Sequence, residues 1–357
     1  MKKSTSQMYH FVRWEDGSTI VKIPFGQIVQ NHGAPYWLVH RHDLHKGLLE
    51  AAQRAGVTIF NNKRVVEYDF NAPAVKTADG QVFTAELIVA ADGIKSIARP
   101  QLTGHPDIPR DTGDVAYRIL IPGSELLKDP ELADLISTPA TTSWCGPEAH
   151  LVGYPIRNGE MYNIVVCATS HNETTDDIWV VKGDNRELCE RFGQWEPRIQ
   201  KLCALTQDFM KWRLCDLPVL SSWVHPSNKV CLLGDSCHPM LPYLAQGAAQ
   251  AVEDAAALRQ CLATESDLGR ALKHYEMIRL PRVSTVQSKT REHRYILHVE
   301  DGEEQALRDE KMQRNDEENP VFWGHTERRH WLFSHDAENL AREGANWDQG
   351  VQESARL

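Results

Sequence analysis

The sequence has no C-x-x-C pair among its eight cysteines, no H-E-x-x-H and no G-x-G-x-x-G. It also has no apolar run near the ~18 residues that a membrane helix needs. Each absence excludes something. Without paired cysteines or a histidine pair at helical spacing there is no zinc frame to expect. The N-terminus, MKKSTSQMYH, carries two lysines but no apolar stretch behind them, so no secretory signal is expected. The thiols then read as reduced, in a cytoplasmic compartment, and the triplet Asn172-Glu173-Thr174 reads as an accidental glycosylation match. A basic excess is missing too: the formal charge is −10, with no basic stripe, which argues against a nucleic-acid partner. The missing glycine pattern removes the loop that seats a dinucleotide's pyrophosphate on a helix N-terminus.

What is present is ordinary in bulk and specific in one stretch. At 357 residues, 41% hydrophobic and 25% charged, the chain is long enough for a large core and two domains. Lys229 to Ala257 reads KVCLLGDSCHPMLPYLAQGAAQAVEDAAA. The apolar run Val230 to Leu233 predicts a strand that ends in Gly234-Asp235, where open α/β sheets place their ligands. Asp235 can accept hydrogen bonds from ligand hydroxyls there. Pro239 and Pro242 hold the following loop extended, and Gly247 allows a close approach before a helix begins. Ala248, Ala251, Val252, Ala255, Leu258 and Leu262 recur at helical spacing and predict its apolar face. The free N–H groups at the helix start suit an anionic or electron-rich ligand.

Read in order, Met8 to Ile23 alternates around Asp16-Gly17 and predicts a hairpin. Tyr36 to Gly56 predicts a strand and then a helix with Leu44, Leu48, Ala51, Ala52 and Ala55 on one face, ended by Gly56. Arg41 lies at the junction, where a surface pair with Asp43 is the competing reading. His40, His42, Asp43 and His45 do not make a metal site at this spacing, because residues 40 and 42 project to opposite sides of a strand. Val65 to Phe70 and Val82 to Phe83 read as strands, with Asp79-Gly80 turning the chain. The apolar strand Leu87 to Ala91 ends in Asp92-Gly93 and leads to a basic helix start. From Asp114 to Asp216, alternating segments such as VAYRILIP, HLVGYPIR and MYNIVVCAT predict an antiparallel sheet. Glu187 to Leu205 reads as a helix, and Leu268 to His298 as a long helix interrupted at Pro281. The acidic run Glu300 to Glu318 reads as a solvated face, and the aromatic tail after it as packing back on the body.

The G-D-x-x-H-P-x-x-P pattern of Gly234 to Pro242, with Gln246-Gly247 and Glu253-Asp254-Ala255 after it, resembles the second flavin-binding motif of the group A FAD-dependent aromatic hydroxylases. The similarity is greatest to their salicylate hydroxylase-like branch. His40-Arg41-His42-Asp43-Leu44 and Asp92-Gly93 resemble two further motifs of the same family. The resemblance covers nearly all of the chain but not the family's first tens of residues. It implies an α/β fold: a glutathione-reductase-like, FAD-binding Rossmann domain lacking its first βαβ unit, an antiparallel substrate-binding sheet and a helical C-terminal tail. The expected divisions are 1–113 for the remainder of the FAD-binding domain with a hairpin of the substrate sheet, 114–216 for the substrate-binding domain, 217–300 for the return segment of the FAD-binding domain and 301–357 for the tail.

The resemblance further implies FAD as cofactor, NADH or NADPH as co-substrate, O₂, and hydroxylation of a small phenolic or aromatic acid through a C4a-hydroperoxyflavin. A role in secondary metabolism or aromatic degradation is the implied setting. Arg41, Asp92, Gly93, Gly234, Asp235, Pro239, Gly247 and Ala248 are the implied cofactor residues. Arg118 and Tyr154 are the implied holders of the phenolate, with Tyr117 a weaker substitute and His238 shaping the loop. The competing reading makes Tyr154 a core aromatic and Arg118 a structural ion pair. Three other functions compete: a truncated relic unable to hold FAD, a flavin-dependent epoxidase on a non-aromatic substrate, and a hydrolase using Gly234-Asp235-Ser236. The hydrolase reading lacks a separate late D-x-x-H. Oligomeric state is not encoded in any of these motifs.

Overall fold

The computed structural model describes residues 2–170 and 179–343; the triplet at Asn172 lies outside them. Two compact units emerge. One comprises Met1–Ile59, Asp111–Leu214 and His293–Ser334, and the other Phe60–Arg110, Cys215–Glu292 and His335–Leu357. The first 59 residues, with their hairpin, therefore group with Asp111–Leu214, while Phe60–Arg110 group with Cys215–Glu292.

The first unit is built on an eight-stranded sheet. Its order is Val180–Lys182, Met210–Asp216, Arg110–Pro122, Met161–Thr169, Ala149–Ile156, Ala140–Gly146, Met8–Arg13, Thr19–Pro24. The sheet is mixed: Ala140–Gly146 runs parallel to Met8–Arg13, while the hairpin pairings are antiparallel. The expected hairpin at Asp16-Gly17 is present, with Gly17 at φ 68°. Period-two alternation decides the faces. Tyr117, Ile119 and Ile121 point to one face with Tyr162, Ile164, Val166, Leu151 and Trp144. Leu188, Ile199 and Leu202 of the helices Asn185–Arg191 and Pro197–Leu205 bury that face. These are two helices where the sequence suggested one, because Pro197 cannot continue a helix from behind and instead starts a new one.

The aromatic tail packs as expected: the Trp323 ring meets Tyr9 edge-on at 4.8 Å, and Phe333 meets Phe25 and Tyr36. The helix Arg41–Arg54 follows the strand Trp37–Val39, but its expected apolar stripe is uncovered: no residue of it is buried.

The second unit carries the parallel strand pair Val230–Leu232 and Ile88–Ala90, the three-stranded sheet Val65–Asp69, Ala74–Thr77, Val82–Thr84, and the helix Gly247–Thr264. The parallel pair packs with Leu258, Cys261, Leu272 and Tyr275. Two expectations change here. Of the expected face of helix Gly247–Thr264 only Leu258 is buried, while Val252 is 56% exposed and Ala248, Ala255 and Leu262 are exposed; Gln250, Asp254, Ala257 and Cys261 point inward with Leu258. The reason is a set of buried polar partners described below. Helix Leu268–Leu297 also runs through Pro281 without interruption, the Pro281 carbonyl being taken by Thr285 Oγ1 at 3.0 Å.

Candidate active site

In the first unit, the face of the sheet opposite the core stays partly open. Along Arg110–Pro122 residues 118, 120 and 122 are exposed while 117, 119 and 121 are buried. Register places Arg118 opposite Val165, and Asn163 between Leu120 on one side and Tyr154 on the other. Arg118 and Tyr154 therefore share one face, two strands apart. The Arg118 guanidinium also stands over the Trp212 ring, 5.3 Å from its centroid.

Electrostatics tie these residues together. Burial raises the Tyr154 pKa and the Arg118 cation partly opposes it, so the phenol keeps its proton at neutral pH. Desolvation and then repulsion from Arg41 lower the Arg118 pKa, although a guanidinium stays charged. Neither arginine makes an ion pair among the described residues. Asp43, the alternative partner for Arg41, is held bidentately by Arg157 at 2.7 and 2.6 Å. Tyr117 is turned into the core and accepts from Arg191 at 3.1 Å, which removes it from this face. A groove of about 450 Å³ lies elsewhere in the unit, but Lys2, Asp43, Lys46, Glu50, Arg157 and Glu160 line it, and so charged a wall does not suit a planar aromatic.

In the second unit, Asp92-Gly93 and Gly234-Asp235 follow the carboxyl ends of the two parallel strands. Gly234 takes φ 68° and Gly93 φ 80°, conformations a side chain resists. The Asp92 carboxylate accepts from the N–H groups of Ile97 and Ala98 at 2.9 and 3.3 Å, a turn-closing duty the sequence did not reveal. Asp235 is exposed beside it.

The loop that starts at Gly234 is fixed from below by buried side chains. Asp254, fully buried, accepts from the Gly234 N–H at 3.1 Å and pairs with His238 Nε2 at 2.5 Å and Arg279 Nε at 2.9 Å. Arg99 donates to the Cys237 carbonyl at 2.8 Å, and Gln287 to that of Pro239 at 2.8 Å. His238 thus helps to fix the loop through Asp254. Ser236 is buried and donates to the Ala90 carbonyl at 2.7 Å, which does not suit the exposed nucleophile that the Gly234-Asp235-Ser236 hydrolase reading needs. Cys237, His238 and Asp254 lie close enough to suggest a metal, but Arg279 on the same carboxylate opposes a second cation.

Pro242–Leu244 forms a 3₁₀ turn, Ala245 takes φ 52°, and the helix begins at Gly247 with no side chain capping it. Gly247 is half-buried and Ala248 exposed, so the first backbone N–H groups face outward without a bulky neighbour. A carboxylate at a strand end accepts from hydroxyls, and uncapped N–H groups at a helix start donate to anionic or electron-rich oxygens.

The sequence model of the FAD binding domain matches residues 4–290. The FAD-dependent monooxygenase OpS4 of Beauveria bassiana is 34% identical over 339 residues, covering 91% of this chain and 78% of the relative. The chain belongs to the FAD-dependent monooxygenases of the FAD binding domain family. Another relative, the 3-hydroxybenzoate 6-hydroxylase of Klebsiella oxytoca, is 33% identical over 296 residues, covering 82% of this chain and 72% of that one. Among solved structures, a salicylate hydroxylase substrate complex superposes with a TM-score of 0.75 at 25% identity, covering 95% of this chain and 83% of that one. The monooxygenase fold expected from the motifs is therefore present, with its mixed sheet and C-terminal helices.

Two features of the site were not legible beforehand. Asn163 shares the open face with Arg118 and Tyr154 by strand register, and Trp212 stands beside them through its ring contact with Arg118. Asp254, Arg279, Arg99 and Gln287 hold the loop from segments distant in sequence.

Proposed function

We propose that the chain hydroxylates the ring of a small phenolic substrate with FAD as cofactor. NADH or NADPH supplies two electrons, one atom of O₂ enters the ring and the other leaves as water. Arg41, Asp92, Gly93, Gly234, Asp235, Pro239, Gly247 and Ala248 are the residues assigned to the cofactor. In this assignment the Asp235 carboxylate accepts from hydroxyls, and the start of the helix at Gly247 and Ala248 donates to oxygens. When bound, FAD supplies the activation of O₂ and the transfer of one oxygen atom.

The protein's own task is to make the ring electron-rich. A phenol has a pKa of about 10, so ionising it near neutral pH requires roughly 3 units, about 4 kcal/mol. One nearby cation typically contributes ~1 to 3 units. Arg118, without an ion pair among the described residues and reinforced by Arg41, supplies that cation. Tyr154 retains its proton and donates to the same phenolate oxygen. Trp212 offers an aromatic surface beside them.

The single observation that carries this reading is the Arg118 cation, without an ion pair among the described residues, on the same half-open face as the protonated Tyr154. The relatives named above, a monooxygenase and a hydroxylase, lend no support to an epoxidase or to a relic. The test is to purify the chain, quantify bound flavin from its visible spectrum, and follow NAD(P)H oxidation with and without hydroxybenzoates. Stimulated oxidation with label from isotopic O₂ in the product is expected. A flavin-loaded protein whose NAD(P)H oxidation ignores every phenol tested would rule the reading out.

A further inference from the structure

Asn163 occupies the middle of the open face, cross-strand from Tyr154 and facing Leu120 on the other neighbouring strand. Directly opposed residues hold their Cβ atoms about 4.5–5.5 Å apart, and diagonal ones about 7–8 Å. Tyr154 is a direct neighbour of Asn163, and Arg118 is its diagonal one. The amide nitrogen Nδ2 of Asn163 is buried and has no hydrogen-bond partner among the described residues. Such a donor costs roughly 1–3 kcal/mol when left unmade. Its neighbours along the same face, Val165, Val152 and Leu120, offer no acceptor. A leucine would fill the position without that cost.

We infer that Asn163 selects the substrate's second oxygen function, donating from Nδ2 to a carboxylate or carbonyl oxygen on the ring whose phenolic oxygen Arg118 and Tyr154 hold. This rests on the reading of Arg118 and Tyr154 given above. Three groups near Asn163 each have a proton to donate: the Arg118 guanidinium, the Tyr154 hydroxyl and the Asn163 amide N–H₂. Three donors grouped around one point favour a ligand that presents more than one acceptor oxygen. A ring bearing an ionised hydroxyl and a carboxylate or acyl group does so, whereas phenol itself presents one and leaves Asn163 unpaired. A site built to hydrogen-bond a substrate group discriminates strongly against the analogue that lacks it.

The test uses the purified full chain and three probes: a hydroxybenzoate, a hydroxyacetophenone and phenol. Their dissociation constants are read from tryptophan fluorescence without turnover. The wild type is expected to bind the two acyl-bearing probes at least about 10-fold tighter than phenol. Asn163→Leu is expected to lose that preference, with phenol affinity unchanged, and to melt no lower than the wild type because an unpaired buried donor has been removed. Asn163→Asp should repel the hydroxybenzoate more than the hydroxyacetophenone, which separates a carboxylate from a carbonyl as the natural group. Equal losses for all three probes in Asn163→Leu, or a lowered melting temperature with unchanged preference, would overturn the inference and make Asn163 structural. Arg118→Ala distinguishes the two levels of argument. If it leaves phenol affinity unchanged, the phenolate site itself is misplaced. If it weakens phenol while Asn163→Leu changes nothing, only the role of Asn163 fails.

Discussion

The Asp254 carboxylate accepts a hydrogen bond from the backbone N–H of Gly234 at 3.1 Å, so a helix side chain sets the turn that carries Asp235. Burial opposes ionisation of Asp254, but the His238 hydrogen bond and the Arg279 cation outweigh it and hold its pKa below the ordinary range. Removing one member of a buried pair typically costs about 3–5 kcal/mol, because the other charge is left without a partner. Asp254→Ala is therefore expected to lower the urea midpoint strongly and to yield protein with little flavin. Asp254→Asn, which keeps the shape but not the charge, should lose less stability while still releasing flavin more readily. A variant that melts and binds flavin like the wild type would show that the loop is held by other means.

Arg118→Ala should leave flavin content unchanged and lower hydroxylation by about 10- to 1,000-fold near pH 7, corresponding to the ~1–3 units by which a nearby cation lowers a phenol's pKa. The pH profile gives the sign. Without the cation the bound phenol ionises closer to its free value of about 10, so activity should climb as pH rises towards that value. A fall in activity with a flat pH profile would count against phenolate stabilisation. Arg118→Lys should recover part of the rate, since charge returns but the planar contact with Trp212 does not.

Much of this architecture is readable in the sequence itself. Alternation in VAYRILIP and MYNIVVCAT reveals buried and open faces because a strand's side-chain period is two. The turn at Gly17 and the Gly234-Asp235 junction are readable because glycine and aspartate have few other reasons to end an apolar run. The helix Gly247–Thr264 was misread because its inward face is polar. Gln250 and Asp254 are acceptable inside only through Arg279 and His238, and a linear pattern of apolar residues cannot announce partners that distant. Helix Arg41–Arg54 shows the opposite case: its apolar pattern is correct for a helix, yet pattern alone does not supply a covering surface. Asn163 and Trp212 have no motif; Asn163 emerges from cross-strand register and Trp212 from its ring contact with Arg118.

Tyr154→Phe removes one hydroxyl from a half-buried position without creating a cavity, so the fold should be unaffected. A hydrogen bond to a charged group contributes about 1.5–3 kcal/mol, which corresponds to a weakening of phenolate binding by roughly 10- to 150-fold. The loss should appear in the dissociation constant of a hydroxybenzoate and in turnover, with flavin content held. An unchanged dissociation constant would place the Tyr154 hydroxyl away from the substrate.

His150 and His298 form a buried hydrogen-bonded pair, Nδ1 to Nε2 at 2.8 Å. Burial, then the Arg294 and Arg191 cations, push the His298 pKa down to about 3, and burial followed by His298 lowers that of His150. An unfolded histidine titrates near about 6.5, so below that pH the unfolded chain takes up protons that the folded pair refuses. Stability contributed by the neutral pair is thus full above the unfolded value and falls as pH drops from about 6.5 towards the folded value. The slope is about 1.4 kcal/mol per pH unit for each histidine that stays neutral. The urea midpoint of the first unit's unfolding should decline between about pH 7 and pH 5, before most carboxylates titrate. His298→Gln should flatten that decline while lowering the midpoint at neutral pH. A wild-type midpoint that does not move across this interval would mean the pair is charged or solvated in the folded protein.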